Sequence, residues 1–376
     1  MKIDRKQLIE CLDMVSLALG GALSEFKNQC FRFHEDLVQA TDGEVSIEAQ
    51  LPANIGIDCS IHGQSFLSLI KSLDEELIDL QSNDRELVVS TDKVEGKLVI
   101  HNLSEFKEYS SNPTKVGTIP NIKEFVDGLI KCRHNVSLDT TSKMVIHGVK
   151  ISDTIILSTN RYRIFKCKLD FKSGIDCIIP TKFVDVVSKC KDKITGMFCE
   201  NGSRLVAIID DEPNTNIWIW TQLLSGDYPD LNKYFSRSTD PTTNVCLPDD
   251  IDQVINRHAS FVKDVDISNR ESLISIDGDK CTIKTTNVNT GILKESVTLK
   301  DKPTVRSNPN EDNNSKHAID NALLNSVGFS IKFYVDPILI KDIIKECKTF
   351  SYYSEDKSII FRTEKFDYFI QVTGIT

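Results

Sequence analysis

The apolar positions of this chain fall into two periods that alternate in a fixed order. Phe66, Leu69, Ile70 and Leu73 are spaced i, i+3, i+4, i+7; the spacing recurs at Phe183, Val186, Val187 and Cys190, and again at Ile340, Ile343, Ile344 and Cys347. One face of each segment is apolar at helical period, which predicts three amphipathic helices. Each gives way to a strand-like run, LIDLQ, ITGMF and FSYYS. Ahead of each set lies another amphipathic helix. The first carries Leu8, Leu12, Val15 and Leu19, the second runs near Ile122 to Cys132, and the third has Ile251, Val254, Ile255 and His258. Between the two helices of each set, alternating runs end in QATD, LSTN and KTTN, around Thr41, Thr159 and Thr286.

The unit is helix, strands, helix, strands, three times over. Thr41 to Thr159 and Phe66 to Phe183 are both about 120 residues apart, the size of a domain rather than of a solenoid repeat. The pattern predicts an α+β protein of three similar domains, 1–116, 117–240 and 241–376, each with two helices packed on antiparallel sheets. Phe183 to Ile340 is about 30 residues longer than Thr159 to Thr286, so the third domain holds an insertion. The aperiodic, Asn-rich SNPNEDNNSKHA places it as a surface loop at about 302–321.

Composition then narrows the function. A net charge of -10 excludes a protein that wraps nucleic acid with its whole surface, but leaves room for a local basic one. The six predicted helices hold the candidate cations: Lys71, Lys123, Lys131, Arg133, Lys182, Lys189, Arg257, Lys263, Lys341 and Lys345. Positive and negative charge roughly balance across these helices, so the acidic excess lies elsewhere. No run approaches the roughly 18 apolar residues of a membrane span, so no membrane partner is expected. The N-terminal MKIDRKQLIE lacks the apolar core of a signal peptide, and a cytoplasmic location is expected. Eleven scattered cysteines without a CxxC pair predict free thiols and no zinc site. The acidic IIDDEPN around Asp210 and Asp211 reads as a hairpin tip, and the histidines show no ligand spacing. GxxxxGK[ST], GxSxG and GxGxxG are all absent. Neither an enzyme nor a cofactor is expected.

Three local stretches, in their order and spacing, resemble a known family, the bacterial-type DNA polymerase III beta subunit or sliding clamp. VSLALGG (Val15 to Gly21) is similar to the end of the family's first helix and its Gly-Gly loop. LSTNRYRIF resembles its A-T-D-G-H-R-L segment, and SGDYPDL (Ser225 to Leu231) its D-G-x-F-P-D-Y. With the threefold repeat, the resemblance covers the whole chain. The altered signatures are those of a distant member, which a phage genome would explain. The resemblance implies the DNA clamp fold, with two chains closed head to tail as a homodimeric ring. Helices would line the hole and sheets form the outer wall. Duplex DNA would thread the hole without sequence preference, and DNA polymerase and clamp-loader subunits would dock by a short peptide. The alternative is a scaffold of the same fold that binds peptides and never encircles DNA.

The resemblance also implies site residues. Thr159, Arg163, Ile164, Ile146 and Pro229 match the walls of the family's peptide pocket, with Lys233, Tyr234, Ile360, Phe369 and Gln371 placed nearby. Three departures stand out in the same segment: Asn160 replaces the family's aspartate, Arg161 its glycine and Tyr162 its histidine. Arg161 and Tyr162 are therefore expected at the pocket mouth, with an altered peptide preference. Ala22 stands where family members have a DNA-contacting arginine.

Overall fold

The structure is a computed structural model and describes residues 2–53, 56–101, 115–139, 141–211, 215–236, 241–266, 269–301, 303 and 329–372. Its elements run in one order, repeated three times. The first series is β1 (Lys2–Asp4), α1 (Arg5–Val15), β2 (Cys30–His34), β3 (Leu37–Thr41), β4 (Val45–Gln50), β5 (Cys59–His62), α2 (Gly63–Ser72), β6 (Leu77–Ser82), β7 (Glu86–Ser90) and β8 (Glu95–Val99). The second is β9 (Lys115–Thr118), α3 (Ile122–Arg133), β10 (Gly148–Ser152), β11 (Ile155–Thr159), β12 (Arg163–Lys168), β13 (Asp176–Pro180), α4 (Thr181–Lys189), β14 (Gly196–Glu200), β15 (Arg204–Asp211) and β16 (Thr215–Gln222). The third is β17 (Thr243–Cys246), α5 (Ile251–Phe261), β18 (Ser272–Asp277), β19 (Lys280–Asn287), β20 (Gly291–Thr298), β21 (Ser330–Val335), α6 (Pro337–Glu346), β22 (Thr349–Tyr353), β23 (Ser358–Arg362) and β24 (Phe366–Gln371).

Local chemistry sets the helix starts. The Asp4 carboxylate accepts the Gln7 N–H at 2.8 Å, and Asp336 does the same for Ile338 with Pro337 in the first turn. Such caps satisfy donors that the helix leaves without partners. The predicted apolar faces are the buried ones: Leu8, Leu12 and Val15 on α1, Phe183, Val186 and Val187 on α4, and Ile340, Ile343 and Ile344 on α6. Two ends differ from expectation. The first helix stops at Val15, a 3-10 turn takes Ser16–Ala18, and Leu19 is only half-buried. Cys347 lies past the end of α6, half-buried rather than in the core.

The chain divides into two compact units. The first comprises Met1–Ile130, Ile151–Thr154 and Phe171–Ser225. It holds a four-stranded sheet in the order β1-β6-β7-β8 and an eight-stranded sheet in the order β5-β2-β3-β4-β16-β15-β14-β9. In its core Phe66 of α2 meets Phe31 and Phe33 of β2 edge to face, with ring centroids 6.5 and 5.6 Å apart. Burying each such ring is worth about 1.5–3 kcal/mol. The second unit comprises Lys131–Lys150, Ile155–Asp170 and Gly226–Thr376. It contains the run β11-β12-β24-β23-β22-β17 and the four-stranded sheet β20-β19-β18-β21, and α5 packs on α6. Neighbouring strands such as β11 and β12, β15 and β16, and β18 and β19 pair antiparallel, as the alternating patterns require.

The second series is thus shared between the units, because its strands continue its neighbours' sheets: β16 pairs with β4, and β12 with β24. β9 straddles the domain boundary expected between 116 and 117. The surplus length of the third series falls between β20 and β21, from Leu299 to Phe329, where the second series has only Leu169 to Ile175. The loop expected at 302–321 lies outside the described residues, Pro303 excepted.

Candidate partner-peptide site

The β11–β12 hairpin of the second unit carries the segment that stood out in the sequence. Thr159 faces Ile164 across the ladder, leaving Asn160 to Arg163 as the turn. The Thr159 hydroxyl donates to the Arg163 carbonyl at 2.9 Å and accepts the Arg161 N–H at 3.1 Å. The Asn160 side-chain oxygen accepts the N–H groups of Tyr162 and Arg163 at 3.2 and 2.9 Å. Polar side chains thus satisfy the backbone of a tight turn. The cost sits at Arg161, whose φ of +81° is a conformation that glycine adopts freely and other residues resist.

Below the turn, β12 pairs with β24, Ile164 opposite Phe369, and Gln371 donates its N–H to the Tyr162 carbonyl at 2.8 Å. Ile164, Ile360 and Phe369 form one apolar cluster with Leu231, Phe235 and Tyr353, against which Tyr228 and Tyr234 pack. The Tyr234 and Phe369 rings are 5.2 Å apart, and Lys233 holds its ammonium 5.1 Å from the Tyr234 ring. Burial pushes the phenols of Tyr228 and Tyr368 up, so both stay neutral. The strand of residues after β16 reaches this cluster through Gly226, at φ +126°, where a side chain would meet Val145 at 2.9 Å. That close approach explains the glycine of SGDYPDL.

The remaining expected residues are placed as follows. Thr159 is buried and occupied in the turn, so it supports the hairpin rather than offering a free hydroxyl. Arg163 is largely buried and donates to Glu271 at 2.9 Å. Arg161 and Tyr162 project outward, Arg161 lying 3.8 Å from Asp139. Hydrogen bonds from Thr141, with a smaller contribution from Arg161, hold the Asp139 carboxyl below its usual range. Pro229 and Lys233 are exposed, and half-buried Gln371 donates its amide to the Asp356 carbonyl at 2.8 Å. Ile146 is buried in the turn Met144–His147 and is not among the residues of the apolar cluster. Leu231, Phe235, Tyr353 and Tyr228 were not expected. Their signal was present in the spacing of Tyr228, Leu231 and Phe235, three and four residues apart around a short 3-10 turn.

The candidate cations divide into two groups. Lys71 pairs with Asp13, Lys131 with Glu346, Lys182 with Asp42, Lys345 with Asp342, and Arg257 makes a two-pronged pair with Glu295. Lys123, Lys189 and Lys341 stand on their helices with no ion pair among the described residues. Arg133 ends α3. Lys263 was expected on a helix but lies two residues past the end of α5. His258, on the same helix, is fully buried, bonded to Thr285 at 2.6 Å, and burial lowers its pKa. Asp210 and Asp211 belong to the β15–β16 hairpin, facing Asn216 and Thr215. Among the described residues no group of three His, Cys, Asp or Glu is placed to hold a metal, and no helix is long and apolar enough to cross a membrane.

No protein-family model matches this sequence, and no curated protein matches it. Solved structures do match. The Bacillus subtilis DNA polymerase sliding clamp superposes with a TM-score of 0.69 at 16% identity, over 100% of this chain and 99% of that one. A putative DNA polymerase III beta subunit from Eubacterium rectale gives 0.71 at 15%, over 99% and 98%. The Helicobacter pylori beta clamp bound to a DNA ligase peptide gives 0.67 at 13%, over 100% and 99%. From end to end, this chain has the fold of the DNA polymerase III beta subunits.

Proposed function

We propose that this chain is a DNA sliding clamp: a non-catalytic processivity factor that closes around duplex DNA as a head-to-tail dimer. It tethers a polymerase and its clamp loader through peptides docked over the Ile164–Phe369 cluster. One observation carries the reading. Within the chain the sheet that ends the second series is continued by strands of the first, and the sheet that ends the third by strands of the second, through β16 with β4 and β24 with β12. Among the described residues, β8 and β20 end their sheets. Exposed strand edges are templates for pairing, and a ring removes them. A second copy supplies β20 for β8 and β8 for β20. Three domains, near 1–116, 117–240 and 241–376, then become six around one hole.

The cations suit a clamp that must slide. Contacts to phosphates carry no sequence information, and neutralising each one releases counterions. Cations already paired with carboxylates release fewer, so the grip on DNA is weak and topology holds the ring in place. A peptide would anchor by Leu and Phe side chains in the apolar cluster, with Arg161, Tyr162 and Lys233 at its rim. A second reading, a peptide-binding scaffold that never encircles DNA, is favoured by Ala22 beside the fully exposed Leu23, where the resemblance called for a DNA-contacting arginine.

Light scattering with a closed plasmid separates the two. A clamp has the mass of a dimer, stays on closed circles once loaded, and leaves when they are linearised. A monomer at micromolar concentration, or equal retention on circles and linear duplex, overturns the clamp reading in favour of the scaffold.

A further inference from the structure

The seam between β12 and β24 fixes a register for the open edges. Turn geometry shows which residues correspond on one side. Thr91 donates its N–H to the Val94 carbonyl at 2.8 Å and its hydroxyl oxygen accepts the N–H groups of Lys93 and Val94. Thr363 does the same with Phe366 at 2.9 Å and with Lys365. Val94 therefore corresponds to Phe366, Glu95 to Asp367, Gly96 to Tyr368, Lys97 to Phe369 and Leu98 to Ile370. On the other side Thr41, Thr159 and Thr286 face Ser46, Ile164 and Ile292. Ile292 thus corresponds to Ile164, Leu293 to Phe165, Lys294 to Lys166 and Gly291 to Arg163. In the seam of the second unit Arg163 faces Ile370, Phe165 faces Tyr368 and Lys166 faces Asp367.

We infer that a second copy docks its β20 antiparallel on β8 in one register, setting Lys294 opposite Glu95, Leu293 opposite Gly96 and Gly291 opposite Leu98. This rests on the dimer proposed above. The residues on the two edges complement each other at three of the four steps, Ile292 opposite Lys97 being the exception. Each leucine meets a glycine, so bulk on one strand faces space on the other. Leu293 arrives beside half-buried Leu69, which already lies 2.9 Å from where a side chain on Gly96 would begin. The positions also behave as if uncovered. Phe165 and Tyr368 are fully buried in the internal seam, whereas Leu293 and Gly96 are half-buried, and Ile292 and Val99 are 61% and 64% exposed.

Charge selects this register over its neighbours. A slip of one residue turns every side chain to the wrong face. A slip of two residues in either direction sets Lys294 opposite Lys97 or opposite Lys93, and like charges directly opposed destabilise a sheet. Of these registers only the inferred one brings Lys294 to an acid. Glu95 meanwhile pairs with Lys97 at 3.3 Å on its own strand, an exposed contact that a cross-strand lysine can share.

Two measurements test it on the full chain. First, zero-length carbodiimide coupling of mixed light and heavy-isotope protein should join Lys294 to Glu95, with mixed-isotope peptides in the digest. Coupling of these residues only within single-isotope chains, or of Lys294 to no residue of β8, overturns the inference. Second, Lys294→Glu should weaken the dimer roughly tenfold over its two seams, and Glu95→Lys in the same chain should restore most of it. A tighter dimer from Lys294→Glu alone marks a register slipped by two, because the new glutamate would face Lys97 or Lys93. A wild-type monomer defeats the dimer itself, whatever these variants do. Circular dichroism of each variant confirms that the fold is intact.

Discussion

Two turns of this molecule have the same hydrogen bonds and differ at one strained position. In the first series the turn Asp42 to Val45 joins β3 to β4; in the second, Asn160 to Arg163 joins β11 to β12. In both, a threonine hydroxyl donates across the turn, Thr41 to the Val45 carbonyl at 3.1 Å and Thr159 to the Arg163 carbonyl at 2.9 Å. In both, the next side chain accepts two N–H groups: Asp42 those of Glu44 and Val45, Asn160 those of Tyr162 and Arg163. Both need a positive φ at the residue after that. Gly43 supplies it at +96° without strain, and Arg161 is held at +81°. The same scaffold is relaxed in one copy and strained in the other. Such strain persists where the surroundings over-determine it, and it gathers at functional sites.

The largest effect expected from these turns is at Asp42. Its carboxylate accepts two backbone N–H groups and also lies 3.4 Å from Lys182. Hydrogen bonds to a charged acceptor are about twice as strong as neutral ones. Asp42→Ala should cost about 2–3 kcal/mol in the first unit, measured by denaturant unfolding. Asp42→Asn should recover most of it, because Asn160 shows that the amide suffices. If Asp42→Ala and Asn160→Ala cost the same, the charge contributes nothing.

Gly43 comes next. A side chain there would meet only Asn28, at an ordinary 3.6 Å, so space is not the constraint. Gly43→Val should therefore report backbone strain alone, about 2 kcal/mol. A cost near zero would mean that the turn changes shape freely, and the strain ascribed to Arg161 would fall with it.

How much of this was legible in the sequence follows from the same residues. Repeated helix faces such as Phe183, Val186 and Val187 were readable because helical period survives when nearly every side chain changes. The shared sheets were not: nothing local to β4 or β16 says that they pair, since strand pairing is a long-range choice. The insertion was located by spacing alone. At the candidate site, motif resemblance brought Ile164, Ile360, Phe369 and Tyr234 to one cluster but missed Leu231, the last residue of SGDYPDL, and Phe235, four residues past it. It also named Thr159 and Arg163 without their partners. That Thr159 is tied within the turn, and Arg163 to Glu271, depends on hydrogen bonds that no single stretch of sequence encodes.

A smaller effect is expected at Asn160. It accepts the same two N–H groups as Asp42 but carries no charge, so Asn160→Ala should cost about 1–2 kcal/mol, all of it in the second unit. Hydrogen exchange at Tyr162 and Arg163 locates the loss, since these are the two donors set free. Protection unchanged at both amides would show that Asn160 is not their acceptor in solution.

The smallest effect has the opposite sign. Arg161→Gly removes the strain of a non-glycine residue at +81°, worth about 1–3 kcal/mol. Against that stand the greater freedom of glycine in the unfolded chain, about 0.4–1 kcal/mol, and the loss of an exposed, solvent-screened pair with Asp139. The net expectation is a gain of about 1 kcal/mol, read as a higher denaturant midpoint. If the proposed docking site is correct, the same variant should tighten peptides made for ordinary bacterial clamps, because it clears a long cation from the rim. Ile164→Asp, which buries a charge in the apolar cluster, serves as the dead control. A stability gain without a change in peptide affinity would leave Arg161 as strain with no part in recognition. A loss of stability would show that the contacts of the arginine outweigh its backbone cost, and that the second turn is held by its side chain rather than merely tolerating it.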